Sequence, residues 1–184
     1  VRSVLREWQA EEETINADAV SCVVPHAGWG FSGRLAFSTL RQLRAAVETV
    51  VVVGGHLPPS SALLVAKDDS FATPIGNLKA DARVVRLLEG RLRFEKDRQS
   101  DNTVEIQLPM IKFLFPSASL VWLRAPPAQV ATSLGTVLGE ISQELGIGMA
   151  VVGSTDLTHY GPAYRYSPFG EGELAVQRVR DEND

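Results

Sequence analysis

Four short apolar runs, rich in valine and alternating with amphipathic stretches, constrain this chain more than any other feature. They are Ala19–Pro25 (AVSCVVP), Thr49–Val53 (TVVVV), Ser119–Leu123 (SLVWL) and Gly148–Gly153 (GMAVVG). Runs this short, with no regular polar alternation, read as strands buried on both faces. Gly33–Val47, Ala80–Leu88, Val104–Phe115 and Gln129–Leu145 carry apolar residues at helical spacing. Strands buried on two faces need cover on both, so the alternation predicts an α/β fold with a mainly parallel sheet and helices on both faces. Leu63–Ala66 and Phe94–Lys96 read as weaker strands that give the sheet a mixed edge. The Pro126–Pro127 pair reads as a helix start, because proline is tolerated in a first turn.

The 184 residues suit one domain, 1–184, with a single large core, and no linker or repeat divides them. At 45% hydrophobic and 22% charged, the composition is that of a globular protein and not of a disordered one. The net charge of -4 argues against a nucleic-acid partner or an anionic membrane surface, since no general positive field draws phosphate in. The basic residues of Arg83–Arg93 alternate with leucine and valine and read as a solvated helix face. A single cysteine, Cys22, excludes an intrachain disulfide and a cysteine-based zinc cluster, and its strand position makes it a small apolar filler. No apolar run reaches the roughly 18 to 20 residues of a membrane span, and no signal segment opens the chain, so a cytoplasmic location is expected. The chain begins at Val1 and ends at Asp184 within an amphipathic stretch; truncation at the C-terminus, and slightly at the N-terminus, is expected.

The placement of the histidines is the informative observation. Ala19–Pro25 runs directly into His26-Ala27-Gly28-Trp29-Gly30, Thr49–Val53 into Gly54-Gly55-His56, and Gly148–Gly153 into Ser154-Thr155-Asp156-Leu157-Thr158-His159-Tyr160-Gly161. Each of the three histidines thus follows a predicted buried strand by one to six residues. Ligands of open parallel sheets bind outside the carboxyl ends of the strands, so three parallel strands deliver three imidazoles to one edge. Gly28, Gly54 and Gly55 allow sharp turns and close backbone approach there. Asp156 reads either as a partner that orients His159 or as a turn cap, and Glu105 as a first-turn helix residue facing the dipole. Trp29 and Tyr160 read as wall or core. The glycine-rich turns match neither a P-loop nor a dinucleotide fingerprint, and no nucleophile elbow surrounds Ser154 or Thr155, which leaves a hydrolytic use of the pocket the weaker reading.

Five segments, in order, resemble motifs of the Memo family. Val24-Pro25-His26-Ala27-Gly28-Trp29-Gly30-Phe31-Ser32-Gly33 resembles its PHAGYxYSG segment, and Val53-Gly54-Gly55-His56 its strand-to-histidine turn. Thr73-Pro74-Ile75-Gly76 with Asp81 is similar to its TPLG…D segment, Asp101–Pro109 to its EHSxExxLP helix, and Ser154–Gly161 to its SSDxxHxG turn. The resemblance, of the type found in AmmeMemoRadiSam systems, implies the fold of class III extradiol dioxygenases, which are non-haem iron enzymes. It also implies that family members continue past residue 184.

On that resemblance His26 and His56 are expected to ligate Fe(II) or another divalent transition metal, with Thr158 at the position of a third ligand. Asp156 and His159 are the candidate catalytic residues, and Gly28, Trp29, Gly55, Asn102, Glu105 and Tyr160 the candidate pocket lining. Two positions depart from a branch of the family. Thr158 stands where that branch has a ligating cysteine, and Asn102 where it has a histidine; a threonine hydroxyl is a poor ligand for such metals and an asparagine exchanges no proton. The expected function is a metal-dependent oxidoreductase acting on a small organic substrate. The alternative is a non-catalytic binding or scaffold protein for a small molecule or peptide, with a radical-SAM system as partner.

Overall fold

The computed structural model describes residues 1–11, 18–99 and 101–183. Along the described chain run β1 (Ser21–Val24), β2 (Thr49–Gly54), β3 (Leu63–Val65), β4 (Ser70–Phe71), β5 (Leu78–Lys79), β6 (Phe94–Lys96), β7 (Ser119–Arg124) and β8 (Met149–Ser154). All but β4 and β5, which pair in a small hairpin, join in the order β1-β8-β2-β7-β3-β6. The neighbours β1, β8, β2 and β7 are mutually parallel. β3 then runs antiparallel to β7, with β6 parallel to it, so the sheet is mainly parallel with a reversed edge.

Helices α1 (Arg2–Glu11), α2 (Arg34–Leu40), α3 (Ala82–Glu89), α4 (Asn102–Glu105), α5 (Leu108–Leu114), α6 (Gln129–Leu145) and α7 (Glu173–Asn183) complete the description. The two-residue period of a strand sends alternate side chains of β2 to opposite layers. Val50 and Val52 join Leu5, Phe37, Leu40 and Ile111 beneath α1, α2 and α5. Val51 joins Val84, Leu88, Leu134, Leu138 and Ile141 beneath α3 and α6. No helix among the described residues is long and apolar enough to cross a membrane.

Four local expectations are corrected, two of them at segments that contain proline. Ala19–Pro25 reads as buried on both faces, yet β1 is an edge strand whose outward face is bare: Val23 is 64% exposed while Val24 is fully buried. The stretch Gly33–Val47 is not one helix. A π turn, Trp29–Gly33, leads into α2, which stops at Leu40. The following segment is drawn alongside Ala19, whose amide donates to Gln42 O at 3.0 Å and whose carbonyl accepts from Arg44 N at 3.0 Å. Val104–Phe115 splits into α4 and α5, because Pro109 has no N–H to continue the ladder through the break. Finally, α6 begins at Gln129, two residues after the proline pair. Helix α1 and the β4–β5 hairpin are additional to the elements expected from the sequence, although Val4, Leu5 and Trp8 give α1 an apolar stripe at helical spacing, and Asp184 lies outside the described residues.

Candidate functional site

Because β1, β8 and β2 are parallel neighbours, their carboxyl ends share one edge, and each ends just before a histidine. The rings of His26 and His56 meet edge to face, with centroids 4.9 Å apart and planes at 84°. His26 is 5% exposed, whereas the His56 side chain is 48% exposed. Asp156, on the loop after β8, ties the first and third histidines together. Its Oδ1 accepts from the His26 backbone N at 2.7 Å, while its Oδ2 lies 3.3 Å from His159 Nε2 and 3.7 Å from His26 Nε2. Burial alone would raise the Asp156 carboxyl, but the His26 amide, the His159 bond and both imidazoles outweigh it, holding the group below the usual carboxylate range.

Beneath this trio, Gln107 on the α4–α5 break is fully buried and donates to Pro25 O at 2.8 Å and Ser154 Oγ at 3.1 Å. Ser154 Oγ lies 3.4 Å from His26 Nδ1. The ends of β1 and β8 and the inner nitrogen of His26 are therefore fixed by one amide and one hydroxyl.

His56 is held differently. The glycines before it do not supply the turn: the left-handed residue is His56 itself, at φ 58°, a conformation that costs a side-chain-bearing residue about 1–3 kcal/mol. Its Nδ1 lies 3.4 Å from Asp101 Oδ2, the N-cap of α4, whose Oδ1 accepts from Thr103 N at 2.9 Å and from the Thr103 hydroxyl. Arg124, at the end of β7 and 1% exposed, reaches Asp101 at 3.2 Å and Asp97 at 3.5 Å, and its Nε donates to Gly55 O at 3.0 Å. Burial pushes the Asp101 carboxyl up, but Thr103, Arg124 and His56 together bring it below its ordinary value. Gly54 is needed for close approach: a Cβ there would stand 2.1 Å from Thr103 Oγ1.

The structure gathers His26, His56, Asp156 and His159 at one rim. It gathers Trp29, Asn102 and Glu105 in a separate groove of about 330 Å³, with Ala72, Pro74, Ile106 and Pro109 as its walls. Gly28 and Gly55 flank the two inner histidines along the chain. Thr158 and Tyr160 have partners elsewhere in their own loop and α7. The Thr158 hydroxyl donates to Asn183 Oδ1 at 3.0 Å; that of Tyr160 donates to Gly170 O at 2.9 Å and accepts from Phe169 N at 3.0 Å. Sequence reasoning missed Asp101, Gln107 and Arg124 as site residues. Arg124 carried a signal as an arginine closing a buried valine-rich strand, and Asp101 and Gln107 lie within the Asp101–Pro109 motif, but their contacts with the histidine strands run across the fold.

Among the described residues no three His, Cys, Asp or Glu side chains form a ready set of metal ligands. The donor chemistry nevertheless fits a two-imidazole site: the Nδ1 atoms of both inner rings face protein oxygens, and the nearest carboxylate to His26 Nε2 is Asp156.

A family model described as Memo-like protein matches residues 1–183. A MEMO1 family protein of Thermococcus onnurineus is 32% identical over 160 residues, which cover 80% of this chain and 55% of that protein. A second, of Pyrococcus horikoshii, is 29% identical over 184 residues, covering 92% and 63%, and a third, of Thermococcus kodakarensis, is 32% identical over 160 residues, covering 80% and 55%. The chain thus spans 55% to 63% of the length of these curated relatives.

Proposed function

The chain belongs to the Memo-like protein family, and from that premise we propose that His26 and His56 hold a divalent transition metal of the Fe(II) class, with Asp156 as third donor, for oxidoreductase chemistry on a small organic substrate. One observation carries the reading. Two adjacent rings from parallel strands each have Nδ1 engaged by the protein, His26 with Ser154 and His56 with Asp101. Metal-ligating histidines commonly have that second nitrogen fixed, which sets the tautomer and ring orientation. A bound metal supplies a Lewis-acid or redox centre with positions open to substrate.

The chain's own residues supply orientation and proton handling. Arg124 and Thr103 fix Asp101, and Asp101 fixes the His56 ring. Gln107 fixes Ser154 and the Pro25 carbonyl, and through them His26. His159 is half exposed and bonded through Nε2 to Asp156, so it can carry a proton between the rim and solvent. Anaerobic titration with Co(II), read by its visible absorption, tests the proposal. Stoichiometric uptake is expected, lost in His56→Ala and weakened roughly 10- to 100-fold in Asp101→Asn. Absence of uptake by the unaltered protein overturns it.

A second reading, a pocket that binds a small molecule or peptide without turnover, is favoured by two residues. Asn102 cannot exchange a proton near neutral pH, and the Thr158 hydroxyl is bonded to Asn183. Ligand binding that disappears in His26→Ala, with no turnover in the metal-loaded protein, would select it.

A further inference from the structure

We infer that the groove of Trp29, Asn102 and Glu105 is a subsite for an organic cation: it takes an ammonium group on a short apolar stem, held between the indole of Trp29 and the carboxylate of Glu105. The inference deepens the proposed function by naming a substrate class, small organic amines.

The aromatic side of the groove is preorganised. Trp29 Nε1 donates to Ile106 O at 3.1 Å, and its ring lies 5.6 Å from that of Trp8. Gly33 makes room for both indoles, since a Cβ there would stand 2.9 Å from Trp8 and 3.2 Å from Trp29. Asn102 and Glu105 are three residues apart on α4, hence on one helix face. Glu105 is exposed and has no hydrogen-bond or ion-pair partner among the described residues. Of the cations at the Thr73–Gly76 turn bordering the groove, Arg2 is held on the turn itself, its Nη2 donating to Ile75 O at 3.0 Å, and Lys112 Nζ donates to Pro116 O at 2.7 Å; neither pairs with Glu105 among the described residues.

An indole, two prolines and one unneutralised carboxylate select for a cation with apolar surface. A hydrated metal ion finds too few oxygens there, and an anion meets repulsion from Glu105. A groove of about 330 Å³ is the size of a small-ligand site. Its residues lie close to the histidine segments along the chain. Asn102 follows Asp101, the residue that holds His56, and Trp29 lies three positions beyond His26.

Choline and its neutral isostere 3,3-dimethylbutan-1-ol isolate the charge. The probe is the Trp29 indole N–H resonance in a ¹H–¹⁵N spectrum, identified by its loss in Trp29→Phe. Choline should shift it saturably, with the isostere weaker by roughly 2- to 30-fold, the range set by cation–aromatic attraction. Glu105→Gln should weaken choline by a similar factor and leave the isostere unchanged, and Glu105→Lys should abolish the choline shift in a protein whose spectrum is otherwise that of the unaltered fold. His56→Ala should titrate with choline normally, which separates this test from the metal reading. Equal binding of the two probes, a non-saturating shift or indifference to Glu105→Gln would overturn the inference.

Discussion

Gly54 closes β2 against α4, and the space left by its missing side chain is filled by Thr103. Adding a methyl would bring it 2.1 Å from Thr103 Oγ1 and 2.8 Å from Val104 Cγ2, so Gly54→Ala should destabilise the protein by about 1–3 kcal/mol. The shift of the denaturation midpoint measures it, and Thr103→Ala in the same chain should restore part of the loss. Asp81 gives a pH-dependent case away from the histidines. Its carboxylate caps α3, accepting from Arg83 N and Val84 N, and takes a bond from the buried Thr49 hydroxyl at 2.7 Å. Burial raises its pKa, but Arg83, Thr49 and the Val84 amide outweigh burial and lower it below 3.8. A carboxyl depressed in the folded state stabilises above its unfolded pKa, and that contribution is lost as pH falls through the folded value. Stability curves of the unaltered protein and Asp81→Asn should therefore differ at pH 7 and converge in acid, as pH falls through the lowered folded value. Parallel curves would exclude the role.

At the scale of elements, the carboxyl edge is held together by one buried cation. Arg124 leaves β7 and contacts the residue after β2, Asp97 beyond β6 and the cap of α4. Asp97 Oδ1 faces the guanidinium and accepts from Gln99 N at 3.2 Å, while its buried Oδ2 has no hydrogen-bond partner among the described residues. Removing the guanidinium strands two largely buried carboxylates, and breaking such a group by deleting one partner costs about 3–5 kcal/mol. Arg124→Met should show that loss in chemical denaturation. It should also weaken Co(II) uptake, because Asp101 would no longer hold His56, whereas a purely structural arginine would leave the affinity of the surviving folded fraction unchanged. The π turn after β1 and the break between α4 and α5 serve the same edge: one turns Trp29 toward Ile106, the other places Gln107 under His26.

For the whole molecule, the sheet is unevenly covered. β2 is paired on both sides and its first residues, Thr49 to Val52, are fully buried. Among the described strands β1 pairs only with β8, and its Val23 is exposed; Val20, just before it, is exposed beside a largely apolar groove bordered by Gly135, Leu138 and Gly139 of α6. Exchange protection follows such differences in burial and pairing. The amides of β2 and β7 should exchange only with global unfolding, and those of β1 by a cheaper local opening. Equal protection of β1 and β2, measured by native-state hydrogen exchange, would show that the bare edge is stabilised by something other than these contacts.

The sequence by itself determined the sheet, its parallel core and the shared edge of the histidines, because buried strands need valine-rich runs and the residues closing those runs must lie at their ends. It also carried the family, through motifs such as Pro25-His26-Ala27-Gly28 that are local words. It could not determine which faces of β1 were covered, where the helix after Gly33 stopped, or which nitrogen of each imidazole was engaged. Those depend on Leu43 being drawn to Ala19, on Arg124 reaching Asp101, and on Gln107 reaching across to Pro25 and Ser154. Each is a contact between segments distant in sequence, whose free energy exceeds a local preference and leaves no periodic trace in the chain.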